Sequence, residues 1–386
     1  MTYVTDPTAP MFSTVRTCTR CGFPSTEEGN DFDAMGVCKP CRSSEQKMRI
    51  DWAAKERELA ALFDRYRGKG ASGYDCIVPI SGGKDSAYQL YLVTQVYRMK
   101  PLAVTFSHNW FTDTGRRNLA WCLDTFKVDH VMFTPAREVV NRCARRSLEV
   151  IGDSCWHCHA GVGAYPLRVA VERRIPLLVW GESAAEGSGQ ASYDDIIAFD
   201  RDYFIKISAK VEAEDFATAG LPLADLAPFR FPSQAELDAI GVVGIHIGNY
   251  VFWDHEAQTE FLRDRYGWRE SPVEGTYKCY KSVECIMPGV HDFTKFLKRG
   301  FGRATDHVAQ DVRAGLMTLE EGQRLIRAHD PVEPAVLDYY LAITGHDRAE
   351  FYAIMDDHRE RLGAIPRADM DAALAAGRAK RTGRGP

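Results

Sequence analysis

The spacing of apolar positions changes character along the chain, and those changes mark out its regions. Tyr74–Ile80 (YDCIVPI) is an almost unbroken apolar run bounded by turn residues, the mark of a strand buried on both faces. Pro101–Ser107, His130–Thr134 and Pro176–Trp180 read the same way. Helical periodicity fills the gaps, over Lys84–Arg98, Gly115–Phe126, Arg137–Val150 and a segment ending near Arg173. Strands separated by helix-length segments predict right-handed βαβ units and a parallel sheet covered on both faces. Residues 181–290 lose the pattern and are rich in Gly, Asp and aromatics, as loops that build a site would be. From His291 onward the period is helical, over Asp292–Arg299, Ala304–Ala314, Thr318–Ala328, Pro331–Thr344, Asp347–Leu362 and Ala368–Ala379. A charged helix, Glu45–Arg67, and a Gly-rich link, Gly68–Gly73, precede the first strand. The basic, Gly-rich tail Lys380–Pro386 is predicted to fray. The division that follows is a turn-rich segment over 1–50, an α/β domain over 51–290 and a helical region over 291–386.

With 386 residues, 45% hydrophobic and 26% charged, the composition excludes disorder, collagen-like repeats and a small disulfide scaffold. The net charge of −5 weakens the case for nucleic acid as a partner. No apolar run approaches the ~20 residues needed to cross a bilayer. The start, MTYVTDPTAPMF, lacks the basic-then-apolar pattern of a signal peptide, which predicts a cytoplasmic location with no membrane contact. In that setting 11 cysteines, an odd number, point to metal or redox chemistry rather than disulfides. Cys76, Cys122 and Cys143 stand in apolar or helical surroundings and read as core.

Cys18-x-x-Cys21 and Cys38-x-x-Cys41 fit a four-thiolate zinc knuckle, closed and therefore structural. Each pair supplies two tetrahedral corners from one tight turn. In a segment too short for its own core, the metal supplies folding energy.

The sharpest motif is Ser81-Gly82-Gly83-Lys84-Asp85-Ser86, between the first strand and its helix. Adjacent glycines let the backbone approach an anion, and the helix N-terminus offers unpaired N–H groups to it. Ser81 and Ser86 add hydroxyls, Lys84 adds positive charge, and an acidic Asp85 beside phosphates implies Mg²⁺. A Walker A loop needs Gly where Val78 stands and Ser or Thr where Asp85 stands, so this is a different phosphate loop.

The six residues match the signature of the PP-loop ATP pyrophosphatases. The resemblance implies a Rossmann-like (HUP-like) α/β sheet whose loop grips the β,γ-pyrophosphate of ATP while a substrate oxygen attacks the α-phosphorus. On that resemblance Ser81, Gly82, Gly83, Lys84, Asp85 and Ser86 contact pyrophosphate and Mg²⁺, with Lys84 and Asp85 catalytic. Val104, Thr105 and Phe106 would edge the adenine, and Gly181 would lie near the AMP moiety.

Beyond the loop, the chain resembles the N-acetyl sugar amidotransferase family. YDCIVPISGGKDS (74–86), PLAVTFSHNWFTDTGRRNL (101–119), IGDSCWHCHAG (151–161), WGESAAEG (180–187), GNYVFWD (248–254) and KRGFGRATDH (298–307) carry the likeness, together with the N-terminal cysteine pairs. The implied reaction converts the N-acetyl group of a sugar, nucleotide-linked, to an acetamidino group for a surface glycan such as lipopolysaccharide O-antigen. ATP activates the amide oxygen and ammonia displaces it. No glutaminase unit is visible in the chain, so ammonia would come from a separate glutaminase subunit.

Following the second strand, His108, Asn109, Thr112, Thr114, Arg116, Arg117 and Asn118 would face the nucleotide or sugar. Arg116 and Arg117 suit phosphate oxygens, the competing reading being a solvated helix start. Glu182 and Glu186 would orient ammonia or bind Mg²⁺, or be surface carboxylates. Arg303 belongs with the substrate residues, or pairs with Asp306 to close the C-terminal helices over the site.

Cys155-Trp-His-Cys158-His159 admits several readings. Haem attachment is rejected for want of an export signal. A [4Fe–4S] cluster with Cys285, or less well Cys279, as third ligand resembles the iron–sulfur tRNA thiolases of the same superfamily, which makes a PP-loop sulfurtransferase the rival function. A second zinc with His157 or His159, or reduced cysteines packing a turn, are the other readings.

Overall fold

The computed structural model describes residues 8–185, 191–193 and 200–382. Five strands, β1 (Cys76–Pro79), β2 (Pro101–Phe106), β3 (Asp129–Phe133), β4 (Leu177–Trp180) and β5 (Val243–His246), form a parallel sheet in the order β3-β2-β1-β4-β5. The four expected strands are present within a residue or so. β5 joins them from the stretch expected to be irregular, where Gly241 and Gly244 interrupt the apolar run.

The helices preceding β4 are α1 (Lys39–Lys47), α2 (Trp52–Tyr66), α3 (Lys84–Tyr91), α4 (Asp113–Phe126), α5 (Arg137–Ile151) and α6 (Trp156–Arg173). The expected single helix over Glu45–Arg67 is in fact α1 and α2. Asp51 breaks it by capping α2, its carboxylate accepting the Ala54 N–H at 3.0 Å. α3 continues to Val96 in a wider, π-type turn.

Strand residues alternate between two cores. Cys76, Val78, Leu177 and Val179 pack with Leu59 and Phe63 of α2, Leu90 of α3 and Leu119 of α4. Ile77, Leu102, Val104 and Leu178 pack on the opposite face with Leu167 and Ala170 of α6. Both faces are therefore covered, which is why the strands lack polar alternation.

Short helices α7 (Arg201–Tyr203), α8 (Ala213–Phe216), α9 (Gln234–Ile240) and α10 (His255–Phe261) lie around β5 in the chain. The C-terminal part is α11 (Pro288–Arg299), α12 (Arg303–Arg313), α13 (Leu319–His329), α14 (Leu337–Thr344), α15 (Arg348–Leu362) and α16 (Arg367–Thr382). α11 runs through the expected boundary at 290/291, so no linker separates these regions. Residues 331–336 stay outside α14, where Pro331 and Pro334 disfavour a helix. α16 carries the chain to Thr382, and Lys380 Nζ donates to the Arg327 carbonyl at 2.7 Å, so the start of the tail is helical rather than frayed. Of these, α11, α14 and α15 share a core with α5, Val140, Ala144 and Leu148 meeting Phe293, Phe296, Tyr340 and Phe351. Among the described residues no helix is long and apolar enough to cross a membrane.

Candidate functional site

In this strand order the chain reverses direction of winding between β1 and β4. Ligands of open parallel sheets bind at that point, outside the carboxyl ends of the strands. Ser81–Ser86 leaves β1 there and Gly181–Glu182 leaves β4. Gly82 holds φ +88°, and a Cβ on it would lie 2.7 Å from both the Gly115 carbonyl and the Leu119 nitrogen. Only glycine fits. Gly83 caps α3 without a side chain, leaving first-turn N–H groups for a ligand.

The loop is tied down by its own hydroxyls. Ser86 Oγ accepts from Ser81 N at 3.2 Å and donates to the Gly83 carbonyl at 3.0 Å, while Ser81 Oγ accepts from Gly83 N at 3.2 Å. Trp268 Nε1 donates to the Gly82 carbonyl at 3.0 Å. Ser81 and Ser86, expected as phosphate contacts, thus act here as fasteners of the turn, although both also line the cavities described below.

Lys84 is buried, ion-paired with Asp85, and its Nζ is 2.8 Å from Nδ1 of His255. Burial alone would raise the Asp85 carboxyl, but the Lys84 ammonium and His255 outweigh it and hold Asp85 well below the usual carboxylate range. Burial, with Lys281 and Lys84 nearby, keeps His255 neutral. Asp85, Glu182 and His255 bring one donor atom each within 4.8 Å of one another. His255 is 3.5 Å from Asp85 Oδ1 through Nδ1 and 3.4 Å from Glu182 Oε2 through Nε2. Two carboxylate oxygens beside the glycine loop suit a hard divalent cation such as Mg²⁺.

Two cavities meet at the loop. The smaller, about 360 Å³, reaches under β2 past Val104, Phe106 and His108 to Gly181. The larger, about 700 Å³, runs from Lys84 past Lys281 to Asp292, Lys295 and Arg299. Both volumes fall in the range of small-molecule sites. Arg303 lines both, but its guanidinium is ion-paired with Asp292 and donates to Ser282 Oγ at 2.8 Å. The expected Arg303–Asp306 pair does not form, because Asp306 pairs with Lys295 instead.

The segment after β2 divides. His108 lines the small cavity, its imidazole held near pKa 4 by burial and the Arg116 charge. Thr105 Oγ1 donates to the Ile80 carbonyl at 2.7 Å, and Asn109 Nδ2 donates to the Pro135 carbonyl at 2.8 Å. Thr112 caps α4, accepting from Gly115 N at 2.8 Å. Asn118 is buried, bonded to the Arg269 carbonyl at 2.8 Å and to its N–H at 3.2 Å. Arg116 and Arg117 are exposed on α4 and line neither cavity, and Arg116 packs over the Phe111 ring. Asn109, Thr112 and Asn118 hold the frame, and the two arginines take the place of the solvated helix start. Glu186 lies outside the described residues.

Cys155 caps the start of α6, Cys158 follows one turn on, and Cys285 sits in a bridge opposite Phe111. All three line the small cavity, whereas Cys279 is exposed and does not. Burial, first of all, pushes the Cys155, Cys158 and Cys285 thiols up, so these are neutral groups unless a cation is bound. His159 lines the cavity as well. His157 points inward, its ring 4.6 Å from that of Trp110 in an edge contact. The donors that come within 4.8 Å of one another here are Asp153, Cys155 and His291.

At the N-terminus Cys18, Cys21, Cys38 and Cys41 are buried with their donor atoms within 4.8 Å of one another. Cys18 Sγ is 3.8 Å from Cys41 Sγ, and Cys21 Sγ is 3.6 Å from Cys38 Sγ. A tetrahedron with Zn–S bonds of about 2.3 Å has edges of about 3.8 Å, so the four thiols fit zinc. Hydrogen bonds from its neighbours push Cys18 down, while the same contacts push Cys38 and Cys41 up; all four ionise together only around a cation. The knuckle packs on the C-terminal region, Phe23 edge-on to Phe301 and Arg313 over the Phe23 ring.

His255, Lys281, Glu284, Asp153 and His291 were not singled out by sequence reasoning. They stand in irregular segments or near helix starts, and the available signals are the closeness of Lys281 and Glu284 to Cys285, of Asp153 to Cys155, and of His255 to the segment 248–254.

Residues 274–369 match the model of a family described as the C-terminal domain of WbpG-like LPS biosynthesis proteins. The match begins just before Lys281 and Glu284 and runs through α15. No curated protein matches the chain. Among solved structures, the U34-tRNA thiolase NcsA from Methanococcus maripaludis, with its [4Fe-4S] cluster, is similar at 13% identity, covering 88% of this chain and 96% of that one with a TM-score of 0.33.

Proposed function

We propose that the protein is an ATP-dependent amidotransferase of the PP-loop type, adenylating the amide oxygen of a nucleotide-linked N-acetyl sugar and replacing it with ammonia. The observation that carries this reading is the junction of two ligand-sized cavities at a glycine loop bearing Lys84 and Asp85, on the carboxyl edge of the sheet. Two cavities suit two substrates that must meet at one phosphorus. The match of 274–369 to an LPS biosynthesis domain supports a glycan precursor as the acceptor.

On this reading the open N–H groups of α3 and the Lys84 ammonium hold the departing pyrophosphate. Val104 and Phe106 border the adenine, with Gly181 beside the α-phosphate. Asp85 and Glu182 would hold Mg²⁺, which when bound would neutralise phosphate charge. The acetamido oxygen attacks the α-phosphorus, the bond from that phosphorus to the bridging oxygen breaks to release pyrophosphate, and the former amide oxygen becomes part of a good leaving group, AMP. Ammonia then forms the C–N bond, AMP departs with the oxygen, and the acetamidino sugar remains. A separate glutaminase supplies the ammonia, and the reaction belongs in the cytoplasm.

The test is turnover with ATP, Mg²⁺, ammonium chloride and a panel of UDP- and CMP-linked N-acetyl sugars. Heavy oxygen placed in the acetyl carbonyl should appear in AMP, which simple ATP hydrolysis cannot produce. The presence of Cys155, Cys158 and Cys285 on one cavity wall favours a second reading, sulfur transfer. AMP release that requires tRNA and sulfide instead of sugar and ammonia would select it.

A further inference from the structure

Glu284 stands where the two cavities join and has no part in the scheme so far. Its backbone is fixed: its carbonyl accepts the Thr112 N–H at 3.1 Å, and Ile286 N donates to the Trp110 carbonyl at 2.9 Å, pinning the strand-like segment against the residues before α4. Its carboxylate lies against the phosphate loop. A Cβ on Gly83 would be 3.0 Å from Oε2 and 3.1 Å from Oε1. Ser81 Oγ donates to Oε1 over a long 3.4 Å, while Oε2 is out of contact with solvent and, among the described residues, has no hydrogen-bond partner.

A buried carboxylate oxygen without a donor is costly, so a site that keeps one is built to receive a donor. Among the described residues the neighbouring groups do not fill the role. Arg303 is committed to Asp292 and Ser282, Asp85 is itself an anion, and Cys158 and Cys285, which line the small cavity with Glu284, are at best weak thiol donors and make no hydrogen bond to it. Burial pushes the Glu284 carboxyl up, and in its ionised form it would repel a phosphate oxygen and favour a donor or a cation. Ammonia is complementary to it, since one of its three N–H groups can donate to Oε2 while its lone pair stays free to attack carbon, and ammonium can bind the same way before it sheds a proton to solvent.

We propose that Glu284 is the receiving group for the nitrogen nucleophile, holding it by an N–H to Oε2 hydrogen bond beside the carbon to be aminated. This rests on the amidotransferase reading and assigns one of its two nucleophiles a place. As the C–N bond forms, the C–O bond breaks with its electron pair left on AMP, and the proton shed by nitrogen passes to solvent.

The experiment uses the full chain and separates the half-reactions: sugar-dependent pyrophosphate release for adenylation, and ammonium-dependent amidine formation for the second step. Glu284→Ala should raise KM for ammonium about 10- to 100-fold, the effect of one charge-assisted hydrogen bond, with pyrophosphate release within about twofold of normal. Glu284→Gln, which keeps the shape and an acceptor oxygen, should fall between. Equal loss of both half-reactions in both variants would overturn the role, since it would make Glu284 a prop of the loop. An unchanged KM for ammonium in Glu284→Ala would overturn it too. If the unaltered protein releases no pyrophosphate in response to any sugar, the amidotransferase reading itself falls, and this role with it.

Discussion

Lys84 Nζ is 2.8 Å from Nδ1 of His255 and ion-paired with Asp85, so the cation of the phosphate loop is held between an acceptor and an anion before any nucleotide arrives. A neutral His255 can accept from Lys84, and burial keeps it neutral. Replacement by Lys84→Met removes the one ammonium in the loop while keeping the length of the side chain. ATP–Mg²⁺ affinity should fall about 10- to 100-fold, as for a lost charge-assisted hydrogen bond. The thermal shift that saturating ATP–Mg²⁺ gives the unaltered protein should shrink accordingly. An undiminished shift would mean that Lys84 does not meet the nucleotide.

The sheet is legible in the sequence because its strands are short apolar runs buried on both faces, and the glycine turn between β1 and α3 because paired glycines mark a tight strand-to-helix connection. β5 was hidden by its interrupting glycines, and the α1–α2 break by a helical period that continues through the Asp51 cap. Arg303 was placed in the site region by its motif, but its partner was read as Asp306 from sequence proximity, whereas the fold brings Asp292 of α11 to it. Asn118 shows the converse. A polar residue after a strand looks like a ligand contact until tertiary packing supplies the Arg269 backbone. Glu284 and Lys281 come from a segment without periodicity, and only the fold brings them to the loop.

The N-terminal knuckle should stand or fall with its metal. Cys18→Ser leaves three thiolates and a poor fourth ligand, so bound zinc should fall from near one per chain toward zero, measured by elemental analysis. Because Phe23 packs on Phe301 and Arg313 covers Phe23, the loss should also lower the unfolding temperature through the C-terminal helices. Full zinc occupancy in the variant would rule out the four-thiolate site.

Lys281 gives the larger cavity a pH dependence. Its ammonium is buried near Lys84, and burial first and that like charge second bring its pKa down to about 8, with Nζ 3.1 Å from Gln310 Oε1. A bound phosphate favours the protonated form, so affinity is full below about pH 8 and is lost as pH rises through that value, by up to about tenfold per unit. Calorimetric titration with ATP–Mg²⁺ from neutral to alkaline pH measures this. Lys281→Arg, always charged, should flatten the alkaline limb, and Lys281→Gln should show the weak, alkaline affinity throughout. An alkaline limb that survives in both variants would assign it to another group.

The Arg303–Asp292 pair joins the start of α12 to α11 beneath the site, with side chains only 14% and 6% exposed. A buried pair adds little net stability over apolar residues, but removing one partner strands the other charge. Asp292→Ala should therefore cost about 3–5 kcal/mol, read as a lower urea midpoint with an unchanged slope. Asp292→Leu combined with Arg303→Met removes both charges and should recover most of that loss. The double variant should nonetheless stay impaired in turnover, because Arg303 also donates to Ser282 at 2.8 Å, in the same segment as Lys281 and Glu284. A double variant no more stable than Asp292→Ala would show that the guanidinium is not stranded by the loss of Asp292.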